Sequence, residues 1–201
     1  MPKRVDHVER RRQIAEAVVR IAATRGLQEA SMREVAAEAG VSLRLVQYYF
    51  HTKEELLSGV LGHLGERIGR RVQDAVAALT EPVAPAAYLR AMLGALIPHD
   101  EDGRQVMLAY TAHFTLTLSQ PHLAPEGLAQ AEALRGSVAG RFQQARDSGH
   151  LAAAGDPETL AATALALVTG LQLSVLANQH PAAHATSLLN AHLDHLFAPS
   201  A

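Results

Sequence analysis

The sequence predicts an all-α chain, with a basic three-helix head followed by a longer helical body. Two observations carry that prediction. Runs of Val, Ile and Thr alternating with polar residues are missing, while apolar residues recur at spacings of three and four. Ser or Thr followed three residues later by Glu, a helix-start signature, precedes such stripes at Ser31–Glu34 and Thr52–Glu55.

The first helix is expected over about 7–25. Asp6 is its N-cap with Glu9 at N3, Ile14, Val18 and Ile21 form its apolar stripe, and Gly26 closes it in a left-handed conformation. The Ser31 box opens helix two, which buries Val35, Ala36 and Ala39 and ends at Gly40. Ser42 caps a third helix reaching about Phe50. Thr52 opens a long fourth helix to about Leu79, with Leu56, Val60, Leu64, Ile68, Val72 and Val76 in register. Pro82 and Pro85 break the chain before helix five at 86–97, which Pro98 stops. Helix six is expected over 101–119 and helix seven over 125–148, ending at Gly149. Asp156 as N-cap with Pro157 at N1 starts helix eight, expected to reach about Asn178, and helix nine covers 182–197.

The 201 residues are ample for a buried core. The absence of Cys excludes a disulfide scaffold, a thiolate zinc site and a Cys nucleophile. The formal charge of −2 hides an asymmetry: residues 1–53 hold ten Lys and Arg against six Asp and Glu, whereas residues 54–201 hold eight against fourteen. A head of +4 on a body of −6 fits a polyanion-binding module joined to something else, and sets the expected boundary of domains 1–53 and 54–201. Glu16 and Arg20 interrupt the apolar residues after the basic start, so no signal-peptide core forms and a cytoplasmic location is expected. Thr159 to Leu193 contains no Asp, Glu, Lys or Arg, but Thr163, Thr169, Gln172 and Asn178 are spread through it and Pro181 breaks it. A helix buried at a subunit interface fits this stretch better than a membrane span.

Ala39-Gly40-Val41-Ser42 has the make-up of a helix-turn-helix corner: a residue tolerant of positive φ, a small apolar plug and the next N-cap. On the third helix Val46 and Phe50 face inward, leaving Arg44, Gln47 and Tyr48 for base edges. Arg matches guanine and Gln matches adenine bidentately in the major groove. Tyr49 and Lys53 are available for phosphates, and the start of helix four offers backbone N–H groups to another.

The run Ser31-Met32-Arg33-Glu34-Val35-Ala36-Ala37-Glu38-Ala39-Gly40-Val41-Ser42, followed by Val46-Gln47-Tyr48-Tyr49-Phe50-His51-Thr52-Lys53-Glu54-Glu55-Leu56-Leu57, resembles the TetR/AcrR family of bacterial transcriptional repressors. Gln47 stands where that family usually has Tyr, and Leu45 where it often has a small residue. The resemblance implies that Arg33 contacts phosphate or a groove-edge base, that Ser42, Arg44, Gln47 and Tyr48 lie at the major groove, and that Tyr49 and Lys53 hold the backbone. Val41, Val46 and Phe50 would be core, and Lys3 and Arg4 would add minor-groove or backbone contacts. The end of the chain, from Gly155-Asp156-Pro157-Glu158 to His192-Leu193-Asp194-His195-Leu196-Phe197, resembles the last two helices of the family, which pair with their twins in a dimer. Leu160, Leu167, Leu171, Val175, Leu193 and Leu196 are the expected interface.

The resemblance also implies a ligand pocket in the variable middle. Met107, Tyr110, His113, Phe114 and Thr117 share a broad face of helix six, with Met92, Leu96 and Gln172 as candidates to join them around a mostly apolar effector. The pairs His180/His184 and His192/His195 have helical metal-ligand spacing, but no acidic cluster accompanies them, and no metal is expected. There is no Gly-rich phosphate loop, nucleophile elbow or zinc-protease helix, so neither a cofactor nor an enzymatic activity is expected. The expected function is a homodimeric, ligand-released repressor on a palindromic DNA operator. The alternatives are an activator or ligand-independent regulator, or a helical small-molecule-binding protein without DNA function.

Overall fold

The computed structural model describes residues 3–152 and 155–197, with side chains from His7 onward. Among them are nine α-helices: α1 (Lys3–Thr24), α2 (Met32–Ala39), α3 (Leu43–Tyr49), α4 (Lys53–Ala77), α5 (Pro85–Gly94), α6 (Glu101–Ser119), α7 (Ala124–Asp147), α8 (Pro157–Leu176) and α9 (Ala182–Leu196). Short 3₁₀ turns at Leu27–Glu29 and Pro121–Leu123 were not foreseen. No strand occurs among the described residues, only an isolated bridge between Leu151 and Phe197.

The caps follow the chemistry of their residues. Ser31 Oγ accepts the Glu34 N–H at 3.2 Å, Ser42 Oγ the Leu45 N–H at 3.2 Å, and Thr52 Oγ1 the Glu55 N–H at 3.0 Å. Asp156 accepts the Thr159 N–H at 3.1 Å, with Pro157 in the first turn of α8. The capping boxes close differently from the reciprocal pattern. Glu34 turns to Arg25 instead, and Glu55 takes the His51 backbone N–H at 2.8 Å, which holds its carboxyl below the usual range. Asp6 does not start α1, which begins at Lys3; its side chain, like those of Lys3 and Arg4, lies outside the described residues. α5 stops at Gly94, short of the expected residue 97, because the chain turns at Ala95 before Pro98 is reached.

Gly40 adopts φ 66°, ψ 33°. The Val41 N–H reaches the Ala36 carbonyl at 3.0 Å and the Gly40 N–H reaches Ala37 at 3.2 Å, the double closure of a Schellman end. A methyl at Gly40 would meet nothing within 4 Å, so its cost is conformational alone. Gly40→Ala should cost about 1–2 kcal/mol, read as a lowered urea midpoint at unchanged denaturant slope.

Contacts group the chain into two compact units: Met1–Arg67 with Arg104–Leu128, and Ile68–Gly103 with Ala129–Ala201. In the first, the expected stripes close on one another: Ile14, Val18 and Ile21 of α1, Val35 of α2, Val46 and Phe50 around α3, and Leu56, Val60 and Leu64 of α4 are all buried. Val41 is half-buried. Glu16 of α1 holds two residues of α4, His63 Nε2 at 2.8 Å and Arg67 at 2.9 Å. Such a partly buried hydrogen-bonded group registers one helix on another, and breaking the Glu16–Arg67 pair one-sidedly is costly.

The core of the second unit joins Leu89 and Leu93 of α5, Val138 and Phe142 of α7, Val168 and Leu171 of α8, and Leu189 and Leu193 of α9. Phe197 stacks on Phe142 at 6.0 Å between centroids, and the Arg141 guanidinium lies 3.7 Å from the centroid of Tyr88. Arg90–Asp194 and Arg135–Glu158 pair on its surface.

Candidate nucleic-acid interface

α3 divides its side chains as a reading helix must. Arg44, Gln47 and Tyr48 are exposed, while Val46, Tyr49 and Phe50 turn inward. The neighbouring tyrosines take opposite fates: Tyr48 is 63% exposed and Tyr49 only 8%. Spacings of three and four from Val46 carry Tyr49 into the stripe that the sequence reading assigned to Val46 and Phe50 alone. Its hydroxyl is engaged by His7 Nδ1 at 2.8 Å and its ring meets Tyr48 edge-on. Tyr49 was expected at a phosphate; the structure places it in the packing that supports α3.

α1 holds this helix from the other side, through contacts that no sequence motif marks. Arg11 of α1 donates to the Tyr49 carbonyl at 3.2 Å, and its guanidinium lies 4.6 Å from the Phe50 ring centroid. With His7, this fastens the start of α1 to the end of α3. Partners about forty residues apart leave no local pattern from which to read them.

The basic residues of the head fall into two groups. Arg12 pairs with Glu9, Arg20 with Glu38, and Arg25 with both Glu34 and Glu38. By contrast Arg33 on α2, Arg44 and Gln47 on α3 and Lys53 at the start of α4 are exposed and make no side-chain hydrogen bond or ion pair among the described residues. Glu9, Glu34 and Glu38 are therefore engaged by arginines of α1 and of the turn after it, and Arg33 and Arg44, on α2 and α3, are left without an ion pair among the described residues, as is Lys53 beside Glu54 and Glu55 in the first turn of α4. Ser42 is also exposed, with its oxygen engaged in capping α3.

The expected effector residues divide between the two units. Met107, Tyr110, His113, Phe114 and Thr117 belong to the first, and Met92, Leu96 and Gln172 to the second. Met92 and Leu96 are core residues there and Gln172 is half-buried. On α6 Met107 and His113 are buried, Tyr110 and Thr117 half-buried, and Phe114 is 58% exposed. The face that Met107 buries emerges into solvent two turns later at Phe114 and then Leu118. Burial pushes the Tyr110 phenol up and the His113 imidazole below its usual 6.5, the latter partly offset by Glu126. His113 Nε2 is buried without a partner.

Because the folded His113 resists protonation, the unfolded chain binds more protons below pH 6.5. Its contribution is complete above that value and is lost as pH falls toward the folded value. The urea midpoint of the wild type should therefore drop more between about pH 7 and about pH 5 than that of His113→Gln. Equal drops would show that His113 does not titrate differently on unfolding.

The expected dimer residues lie on the inner sides of α8 and α9. Leu171, Val175 and Leu193 are buried in the second unit's own core, and Leu160, Leu167 and Leu196 are half-buried against it. The exposed side of α8 instead presents Ala162, Ala166, Gly170 and Leu173, and that of α9 presents Ser187, Leu188 and Ala191. α8 is long and apolar enough to cross a membrane by composition alone. The side chains of His180 and His184 approach to 5.1 Å between ring centroids, and no group of three potential metal ligands forms among the described residues.

Two family models match the chain. Residues 14–60 match the bacterial regulatory proteins of the tetR family, and residues 85–198 the BetI-type transcriptional repressor C-terminal region. The chain is 30% identical over 161 residues to the HTH-type transcriptional regulator BetI of Cronobacter sakazakii, covering 77% of each. It is 35% identical to the regulator PksA of Bacillus subtilis over 116 residues, which is 56% of this chain and 55% of PksA. A transcriptional regulator from Rhodococcus superposes with a TM-score of 0.81 at 26% identity over 92% of this chain and 95% of that one. A regulator from Saccharomonospora viridis, solved in complex with choline, superposes with a TM-score of 0.85 over 96% of this chain and 100% of that one; at 20% identity it shares the fold. The chain belongs to the TetR family of DNA-binding transcriptional regulators, with a C-terminal region of the BetI repressor type.

Proposed function

We propose that the protein is a homodimeric repressor that holds a palindromic operator through two major grooves and releases it when a small molecule binds the body. The observation that carries this reading is the segregation of charge in the head: Arg33, Arg44 and Lys53 are exposed and make no ion pair, with Gln47 exposed between the last two, while Arg20 and Arg25 are held by Glu34 and Glu38. Arg44 and Gln47 would read base edges, with Tyr48 beside them, and Arg33 and Lys53 would bind phosphates. Ser42 would preset the helix that carries the readers. On this reading residues 1–53 form the DNA-binding domain and residues 54–201 the effector and dimerisation domain, working in the cytoplasm where the operator is.

The outer side of α8 from Thr159 onward, which carries no Asp, Glu, Lys or Arg and presents Ala162, Ala166 and Leu173, is, with Leu188 of α9, the surface proposed to meet a second copy. Small residues allow close helix approach, and an apolar face without a charge is unfavourable to leave in water. Two-fold symmetry then requires half-sites about one helical turn apart. α6 is the proposed effector helix, with His113 offering the buried unpartnered nitrogen. An effector acts only through its different affinities for the DNA-competent and released states.

The test is selection of bound fragments from random DNA and from the region upstream of the protein's own coding sequence, followed by footprinting. Two protected half-sites on one face of the duplex, bound by two chains, are expected. Recovery of no preferred sequence, or protection by a single chain, would overturn the reading.

A further inference from the structure

The first unit carries a groove of about 450 Å³ that the DNA-binding reading does not use. Its apolar residues are Leu27 after α1, Leu57 of α4, and Ala112 and Leu116 of α6. Its polar lining is Gln28, Lys53, Glu54, Thr115, Ser119 and Gln120. The volume falls among small-molecule sites, about 300–1,000 Å³, and the apolar floor with a few polar groups is their usual make-up. This face of α6 lies opposite the one formed by Met107, Tyr110 and Phe114, so the groove is separate from the effector face proposed above.

The two charges in this lining are not equivalent. The Glu54 carboxyl is held below its usual range by its own backbone N–H and by the Thr52 hydroxyl, with smaller contributions from the charges of His122 and Lys53. Lys53 has no hydrogen bond or ion pair among the described residues. An ammonium that makes no hydrogen bond or ion pair, in the lining of a partly apolar groove, is complementary to an anion carried on a hydrocarbon body, and the long Lys stem can lie along the same surface.

We propose that this groove binds an amphiphilic carboxylate, its tail on Leu27, Leu57 and Leu116 and its carboxylate on Lys53. The bound carboxylate takes Lys53 away from the operator phosphate and so weakens DNA binding; this second step rests on the DNA reading above, whereas the binding site does not.

The experiment titrates the full chain calorimetrically with octanoate, with octan-1-ol as the same tail without charge and acetate as the charge without a tail. Octanoate should bind once per chain at this site, and each control at least about tenfold more weakly, the worth of one charged contact or one buried tail. Thr115→Trp, at an exposed position lining the groove, should abolish this binding while keeping the wild-type melting temperature and operator affinity. Lys53→Gln should reduce octanoate to the level of octan-1-ol. Octanoate binding that survives both substitutions, or no octanoate binding by the wild type, overturns the site. Octanoate bound without loss of operator affinity overturns the competition for Lys53. A ligand-free protein that binds no operator overturns the DNA reading instead, and the calorimetry alone then decides the site.

Discussion

Alanine at Phe50 is expected to destabilise the head by about 3–5 kcal/mol, the cost of emptying a fully enclosed aromatic site. The ring is 1% exposed and sits where α1, α3 and α4 converge. A Cβ built on Gly59 would lie 2.7 Å from its Cε1 atom, so α4 approaches this ring as closely as a glycine allows. Arg11 covers it from α1. Removing the ring withdraws the packing that sets the angle of α3 and the surface over which the Arg11 guanidinium lies. Chemical denaturation measures the loss, with Tyr48→Ala as the reference, since an exposed neighbour should change stability by no more than about 0.5 kcal/mol. Comparable losses for both would contradict the placement of Phe50.

The second large effect is on DNA and not on folding. Arg44→Ala and Gln47→Ala are each expected to cost about 1–3 kcal/mol of discrimination per half-site, the worth of a bidentate base contact. Both side chains are exposed and unpaired, so the melting temperature should stay at the wild-type value. Affinity for the selected operator should fall towards that for scrambled DNA, which phosphate contacts sustain. A double variant that discriminates as well as the wild type would show that α3 does not read bases.

Most of the head was legible because its signals are local and chemically specific. Ser31, Ser42, Thr52 and Asp156 each cap the helix that their position predicts, and Gly40 adopts the left-handed turn. Asp6 shows the limit of such signals. A capping residue marks a possible start, and here the helix begins earlier, at Lys3. The spacing of Tyr49 from Val46 already placed it on the inner side of α3.

The body was less legible for a physical reason. α8 has no charged side chain between Thr159 and Leu176, so polarity cannot separate its inner face from its outer one. Large residues such as Leu171 and Val175 fill the chain's own core, and smaller ones such as Ala162 and Ala166 face out. Nor does any local pattern announce the Glu16–His63–Arg67 cluster or the pairing of Arg20 and Arg25 with Glu38. That pairing changes how the head's charge should be counted, because only the unpaired part is available to a polyanion.

The salt dependence of operator affinity tests the central claim most directly. Each phosphate neutralised contributes about −0.9 to the slope of log affinity against log salt. With Arg33 and Lys53 each holding a phosphate in both halves of a dimer, the slope should be about −4. Lys53→Ala should flatten it by about one contact per half-site, whereas Arg20→Ala, whose charge is already met by Glu38, should leave it unchanged. A shallow slope in the wild type, or equal flattening by both substitutions, would contradict the assignment of the unpaired side chains to DNA.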